Sequence, residues 1–250
     1  MSGLLRHKRT HISVSQCNLF QADHWLYVVE QILGKRGLSG VAAIRGQAVE
    51  TAVTLGLVNP SVSISKCKDL AIAEFERSTA LISSKSLEKE RAAVPLIVEQ
   101  ALNGLRPYGV PSHVQQMVTW THPDLPVPFK GYIDYIWDEH GIIVDLKTQL
   151  ALSSKIKSSH ARQLALYGAA ISDNYALGVA YFTPKHGHIL SVENAKAHLN
   201  SLVCIAKTID RFLDLSDDPY ELLKLVIPDT ESFYFADDEL RQLAFELSGV

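Results

Sequence analysis

A chain of 250 residues, 47% hydrophobic and 20% charged, has the composition of an ordinary globular protein and can form a core without disulfides or a structural metal. Its 24 basic and 27 acidic residues give a net charge of −3, which excludes holding nucleic acid by global charge and leaves only a local patch with bound cations. Cys17, Cys67 and Cys204 are far apart and form no CxxC pair. They exclude a cysteine-rich zinc or iron–sulfur site and read as buried free thiols in a reducing compartment.

The first third is predicted to be helical. A mixed aromatic and aliphatic face runs from about Asp23 to Leu33. Ser39 is placed to cap a helix through Val41, Ile44, Ala48 and Leu55, and Gly56 to Pro60 should break it. Ser65 should start a helix through Leu70 to Leu81, and Ser83–Ser86 should separate it from another over Leu87–Leu105. Pro95 is expected to kink that last helix or mark its start. His113–Thr121, Val127–Trp137 and Gly141–Thr148 carry the Val, Ile, Tyr and Trp of strands, with turn signals between them. Ser158 or Ser159 should cap a helix to about Ser172. Strands follow at Tyr175–Thr183 and His188–Val192, then an amphipathic helix from Glu193 to Leu213. Residues 228–250 read as a loop holding Phe233, Tyr234 and Phe235, then a short helix from about Asp237. The order implies an α/β chain with one central sheet: a helical N-terminal portion (1–112), a core (113–192) and C-terminal helices (193–250). No apolar run approaches the roughly 18 residues of a membrane span. The basic start, Met1–Thr10, lacks a following apolar stretch, so the expected setting is cytoplasmic, without a membrane partner.

The chemistry concentrates in a hairpin. Tyr132, Asp134 and Ile136 share one strand face, and Ile143, Asp145 and Lys147 share one face of the next. A two-residue loop at Glu139–His140, closed by Asp138 and Gly141, sets Asp134 opposite Asp145. Opposed residues have Cβ atoms about 4.5–5.5 Å apart, and like charges there repel. Within apolar strands the repulsion needs a positive partner. One candidate is Lys147, in a structural salt bridge. The other is a divalent cation, for which hard carboxylate oxygens suit Mg²⁺ or Mn²⁺.

Gly131-x-x-Asp134, the hairpin, Asp145-x-Lys147 and then Gln163-x-x-x-Tyr167 resemble the PD-(D/E)XK nuclease superfamily and its RecB-like exonuclease branch in order and spacing. Arg45-Gly46-Gln47-Ala48-Val49-Glu50 is similar to that branch's upstream helical motif, and Ser13-Val14-Ser15 to its Ser-x-Ser opening. The resemblance covers about residues 13–185. It implies a restriction-endonuclease-like core: a central mixed sheet flanked by helices. It also implies hydrolysis of DNA phosphodiester bonds with Mg²⁺ or Mn²⁺, as an exonuclease on linear or single-stranded ends in phage or bacterial replication, recombination or repair. In that light Asp134, Asp145, the Leu146 carbonyl and Glu50 are expected metal ligands. Lys147 would orient or activate water and steady the phosphate, and Gln163 and Tyr167 would position the strand or brace the hairpin.

Other residues stay open between a role and a structural reading. Gln163 and Tyr167, i,i+4 on a helix, also suit a polar edge. Lys155, Lys157, His160 and Arg162 form a solvated face or a phosphate-contacting patch, which Arg45 and Gln47 would join at the substrate. Lys185, His186 and His188 read as loop surface, with a DNA contact as the alternative. Trp120, Trp137, Tyr132 and Tyr135 read as core, with one of them stacking a base in a single-stranded channel as the alternative. Two rivals to the nuclease reading are a catalytically silent nucleic-acid-binding module of the same fold and an interaction protein whose hairpin is only a salt-bridge cluster.

Overall fold

The structure, a computed structural model, describes residues 2–37, 39–231, 235 and 238–248. In chain order its elements are α1 (Gly3–Arg6), α2 (Val14–Ala22), α3 (His24–Tyr27) leading into a π-helical turn (Val28–Ile32), α4 (Val41–Val58), α5 (Ile64–Thr79), α6 (Leu87–Leu105), β1 (His113–Trp120), β2 (Phe129–Trp137), β3 (Ile142–Thr148), α7 (Ser158–Ile171), β4 (Ala176–Phe182), β5 (Gly187–Ser191), α8 (Ala195–Leu213), α9 (Pro219–Leu223) and α10 (Asp238–Ser248). Phe233, Tyr234 and Asp237 lie outside the described residues. The architecture is mixed α/β, with one five-stranded sheet in the order β1-β2-β3-β4-β5. β2 and β3 pair antiparallel, β3 and β4 parallel, and β4 and β5 antiparallel. The chain forms two compact units: residues 1–38, 118–131 and 196–250, and residues 39–117 and 132–195. The sequence boundaries at 112 and 192 therefore do not coincide with unit boundaries, and the helical N-terminal portion is shared between the two.

In the 39–195 unit, α4, α5 and α6 pack on one another, α4 packs on β3, and α7 packs on β3 and β4. The parallel β3–β4 pair requires a crossover, and α7 lies within that connection. β3 is buried over Ile143–Leu146 and β4 over Gly178–Phe182, as strands covered on both faces should be. The core joins Val49, Val53, Leu57, Phe75, Val94, Ile97 and Leu102 to Tyr135, Trp137, Val144 and Phe182. Each such side chain contributes about 1.5–3 kcal/mol on burial.

The sequence misses several local details. Ser39 does not cap α4. Gly40 occupies that position with no side-chain bond, and the helix continues through Gly56 to Val58. A Cβ at Gly56 would stand 2.8 Å from a Leu102 methyl and 3.0 Å from Cys67 Sγ, so those side chains would have to shift. α5 begins earlier, capped by Ser63 through Lys66 N–H. Lys157, without a side-chain bond, precedes α7 in place of a Ser cap, and Pro95 sits inside α6. Val41–Val58 is 18 residues long with mean hydropathy 1.2, enough by length and composition to cross a membrane, contrary to the sequence reading. It carries Arg45 and Glu50, and half of it is buried in this core.

The other unit is described by itself. Ser13 caps α2 in a reciprocal box with Gln16. Ile12 bridges Phe129 in parallel, and Trp25 Nε1 donates to Ser248 Oγ at 2.8 Å. Asp210 on α8 accepts from Ser2 Oγ and Leu4 N–H at 2.5 and 2.9 Å. The thiols differ from expectation: Cys17 and Cys67 are buried, but Cys204 is exposed.

Candidate functional site

The hairpin has the predicted register. Tyr135 pairs with Val144, Ile136 with Ile143 and Trp137 with Ile142. The turn is a 3₁₀ segment over Asp138–His140, closed by Gly141 in the left-handed region at φ +57°, a position suited to glycine. The ladder stops after Tyr135↔Val144. The next N–H of β3, on Leu146, goes to Asp134 Oδ2 at 2.7 Å. One strand's carboxylate thus replaces the backbone bond, which places Asp134 at the point where Asp145 enters the sheet.

Asp145 is fully buried, and neither of its oxygens has a hydrogen-bond partner. Lys147 Nζ stands 2.7 Å from Oδ2 as its ion-pair partner. Glu50, in the middle of helix α4, contributes the third carboxylate. Burial and the Asp145 and Glu50 charges push the Asp134 carboxyl well above the usual range, against the opposing pull of Lys147 and Leu146 N–H. Burial and the Asp145 charge also raise Glu50. Burial alone would lower the Lys147 ammonium, but Asp145, Asp134 and Glu50 together raise it. Three carboxylates thus face one ammonium.

Gln115, which the sequence reading missed, completes the cluster. Its Nε2 donates to Glu50 Oε1 and to Asp134 Oδ1, the latter at 3.2 Å. A glutamine in a strand has no spacing signature. The informative feature is its backbone, at φ +48°, uncommon for a non-glycine residue.

Gln163 donates to the Tyr167 hydroxyl at 2.6 Å, and that hydroxyl also accepts a backbone bond from Tyr132. The pair braces β2 two residues before Asp134. Burial, then the Asp145 charge, raises the Tyr167 phenol. Nearby, Tyr181 lies beside Lys147 in the β3–β4 register, and its hydroxyl meets His160 Nδ1 at 2.7 Å. Burial, Lys147 and Lys157 lower the His160 pKa to about 3, so this ring is neutral at physiological pH.

The expected substrate contacts divide. Lys155, Lys157 and Gln47 are exposed. Arg162 is buried. Arg45 is turned inward at 5% exposure. It pairs with Glu90 and donates to Thr148 O at 3.0 Å and Thr148 Oγ1 at 3.3 Å. Those bonds engage the guanidinium and make it a clamp between α4, α6 and the end of β3. Tyr135 and Trp137 are core, but Tyr132 is 57% exposed and Trp120 only partly buried. Ser13 and Ser15 line a cavity of about 430 Å³ with Gln16, Glu30, Gln31 and Arg36 in the other unit.

Among the described residues no three His, Cys, Asp or Glu side chains are gathered as a ready metal-ligand group. The donor chemistry nevertheless fits a hard cation: the buried, orphaned Asp145 oxygens and two further carboxylates with raised pKa values present oxygen donors and excess negative charge.

No family model and no curated protein matches the chain. One solved structure, of a protein designated SSO0001, is similar at 14% identity and a TM-score of 0.35 over 74% of this chain and 84% of its own, a likeness too distant to carry an argument.

Proposed function

We propose that the protein is a metal-dependent deoxyribonuclease that uses Mg²⁺ or Mn²⁺ to hydrolyse phosphodiester bonds. The observation that carries this reading is the Asp145 carboxylate: wholly buried, without a hydrogen-bond partner, and set among two more carboxylates and a single ammonium. Uncompensated buried charge is costly, and a divalent ion offsets it. Asp134, Asp145 and Glu50 would hold that ion, with the Leu146 backbone beside them. The bound ion would lower the pKa of water and offset charge on the phosphate.

The chain's own groups supply the rest. In the cation-free site the three acids raise the Lys147 pKa against the pull of burial. With the ion bound, Lys147 would orient or activate water and steady a phosphate oxygen. Gln163 and Tyr167 fix the β2 backbone and hence the aim of Asp134. Lys155 and Lys157 offer exposed positive charge for a backbone phosphate. Action from linear or single-stranded ends, a part in replication, recombination or repair, and a bacterial or phage-infected cytoplasm follow from the sequence resemblance and belong to the proposal.

The test is a digestion series on end-labelled single-stranded, duplex and circular DNA, and on RNA, with Mg²⁺, Mn²⁺ or EDTA. The expected result is cleavage of DNA with either metal, none in EDTA, and a fall of about 10²–10³-fold in Lys147→Ala, the scale of losing one donor to developing charge. Cleavage in EDTA, or full activity in that variant, overturns the proposal. DNA binding without any cleavage favours the silent binding module.

A further inference from the structure

The acids are not the only groups aimed into this cluster. The Gln115 amide reaches two of the three carboxylates, Glu50 and Asp134. It does so from a backbone held in the left-handed region at φ +48°, a conformation that a side chain with Cβ disfavours and that persists where the surroundings over-determine it. The third carboxylate, on Asp145, is met by Lys147 Nζ at 2.7 Å and is not reached by this amide.

An amide suits both states of such a site. Its NH₂ donates to bare carboxylates, and its carbonyl oxygen is a hard ligand for Mg²⁺ or Mn²⁺. A half-turn about the terminal torsion exchanges the two without moving the backbone, and that torsion is broad and roughly two-fold. A hydroxyl carries less reach, a carboxylate would add repulsion in the cation-free site, and an ammonium would repel the ion.

We propose that Gln115 is a further residue of the cation site: its amide nitrogen bridges Glu50 and Asp134 when no cation is present, and its Oε1 turns toward the cation when one binds. This rests on the metal-site reading above, and the test separates the two. Mn²⁺ is titrated into the full-length protein by calorimetry, with wild type, Gln115→Met, Gln115→Glu and Asp145→Asn compared and the fold checked by circular dichroism.

Gln115→Met, neutral and similar in length, should weaken Mn²⁺ binding by about tenfold or more, the scale of losing a group that supports metal ligands. It should also lower the melting temperature in EDTA, because two bare carboxylates lose their shared donor. A glutamine that only braced the strand would leave Mn²⁺ affinity unchanged, and one that merely competed with the ion would tighten it on removal; either result overturns the proposal. Gln115→Glu should bind Mn²⁺ more tightly than wild type while melting lower in EDTA. It decides the matter if the Met variant does not fold, and equal or weaker binding overturns the role. Asp145→Asn should lose the Mn²⁺ signal. Retention there overturns the metal-site reading itself, whereas loss there with wild-type binding in Gln115→Met overturns the role of Gln115 alone.

Discussion

Two buried charge clusters sit in the same unit, and they are balanced differently. Around Arg45, one guanidinium meets one carboxylate, Glu90, and its Nε and Nη2 donate to Thr148. Both side chains are nearly inaccessible, at 6% and 8%, and the cluster is electrically closed. Around Asp145, three carboxylates meet one ammonium, which pairs with the deepest acid and leaves negative charge in excess. A closed cluster is what fold maintenance requires. An open one is what the proposed cation site requires.

Breaking the closed cluster should have the largest effect on stability. Glu90→Gln leaves Arg45 buried without its counter-charge and should cost about 3–5 kcal/mol in urea denaturation. A loss below about 1 kcal/mol would make the pair ornamental and dissolve the contrast.

The same operation on the open cluster should have the opposite sign. Asp134→Asn in EDTA relieves repulsion with Asp145 and Glu50, and should stabilise the protein by about 1–3 kcal/mol on the scale of close charges at an effective dielectric near 20. Destabilisation would show that the acids are already compensated.

pH sharpens the comparison further. Asp134 and Glu50 have folded-state pKa values raised above the unfolded ones, chiefly by burial. The folded state therefore holds protons that the unfolded state releases first. Their contribution to stability is fully present below the usual carboxylate range and is lost as pH rises through the raised values. In EDTA, melting temperature should fall across that window in wild type, and the slope should flatten in Asp134→Asn. An unchanged slope would remove Asp134 from the cluster's titration.

The smallest effect is expected at the brace. Tyr167→Phe removes the hydroxyl shared by Gln163 and the Tyr132 backbone, at about 1 kcal/mol read by thermal unfolding. A loss several times larger would mean that the brace carries the hairpin.

The strand register and the closeness of Asp134, Asp145 and Lys147 were legible in the sequence, because side-chain alternation and a short turn fix which residues oppose; Glu50, on a helix, was expected only from the family resemblance. The central sheet and its helices were legible for the same reason, through periodicity. Arg45 was misread as facing the substrate because its partner Glu90 lies on another helix, and no local pattern announces a long-range ion pair. Gln115 was invisible because its approach to Glu50 and Asp134 comes with a left-handed backbone inside a strand, which composition does not encode. Ser39 resembled a cap, yet Gly40 holds that position, since capping residues are interchangeable at a cost of only a few tenths of a kcal/mol for glycine. Tyr132 looked like core because an aromatic in a strand usually is, but the strand presents that residue outward.

The hydrogen bond from Leu146 to Asp134 joins strands on either side of the turn, while Glu50 arrives from a helix made long before them. No early stretch of the growing polypeptide contains all three acids: residues 50, 134 and 145 meet only after the hairpin has left the ribosome and docked on helix α4. Because synthesis releases the N-terminal part first, any reactivity this constellation possesses is withheld from incomplete chains and switched on by completion of the fold.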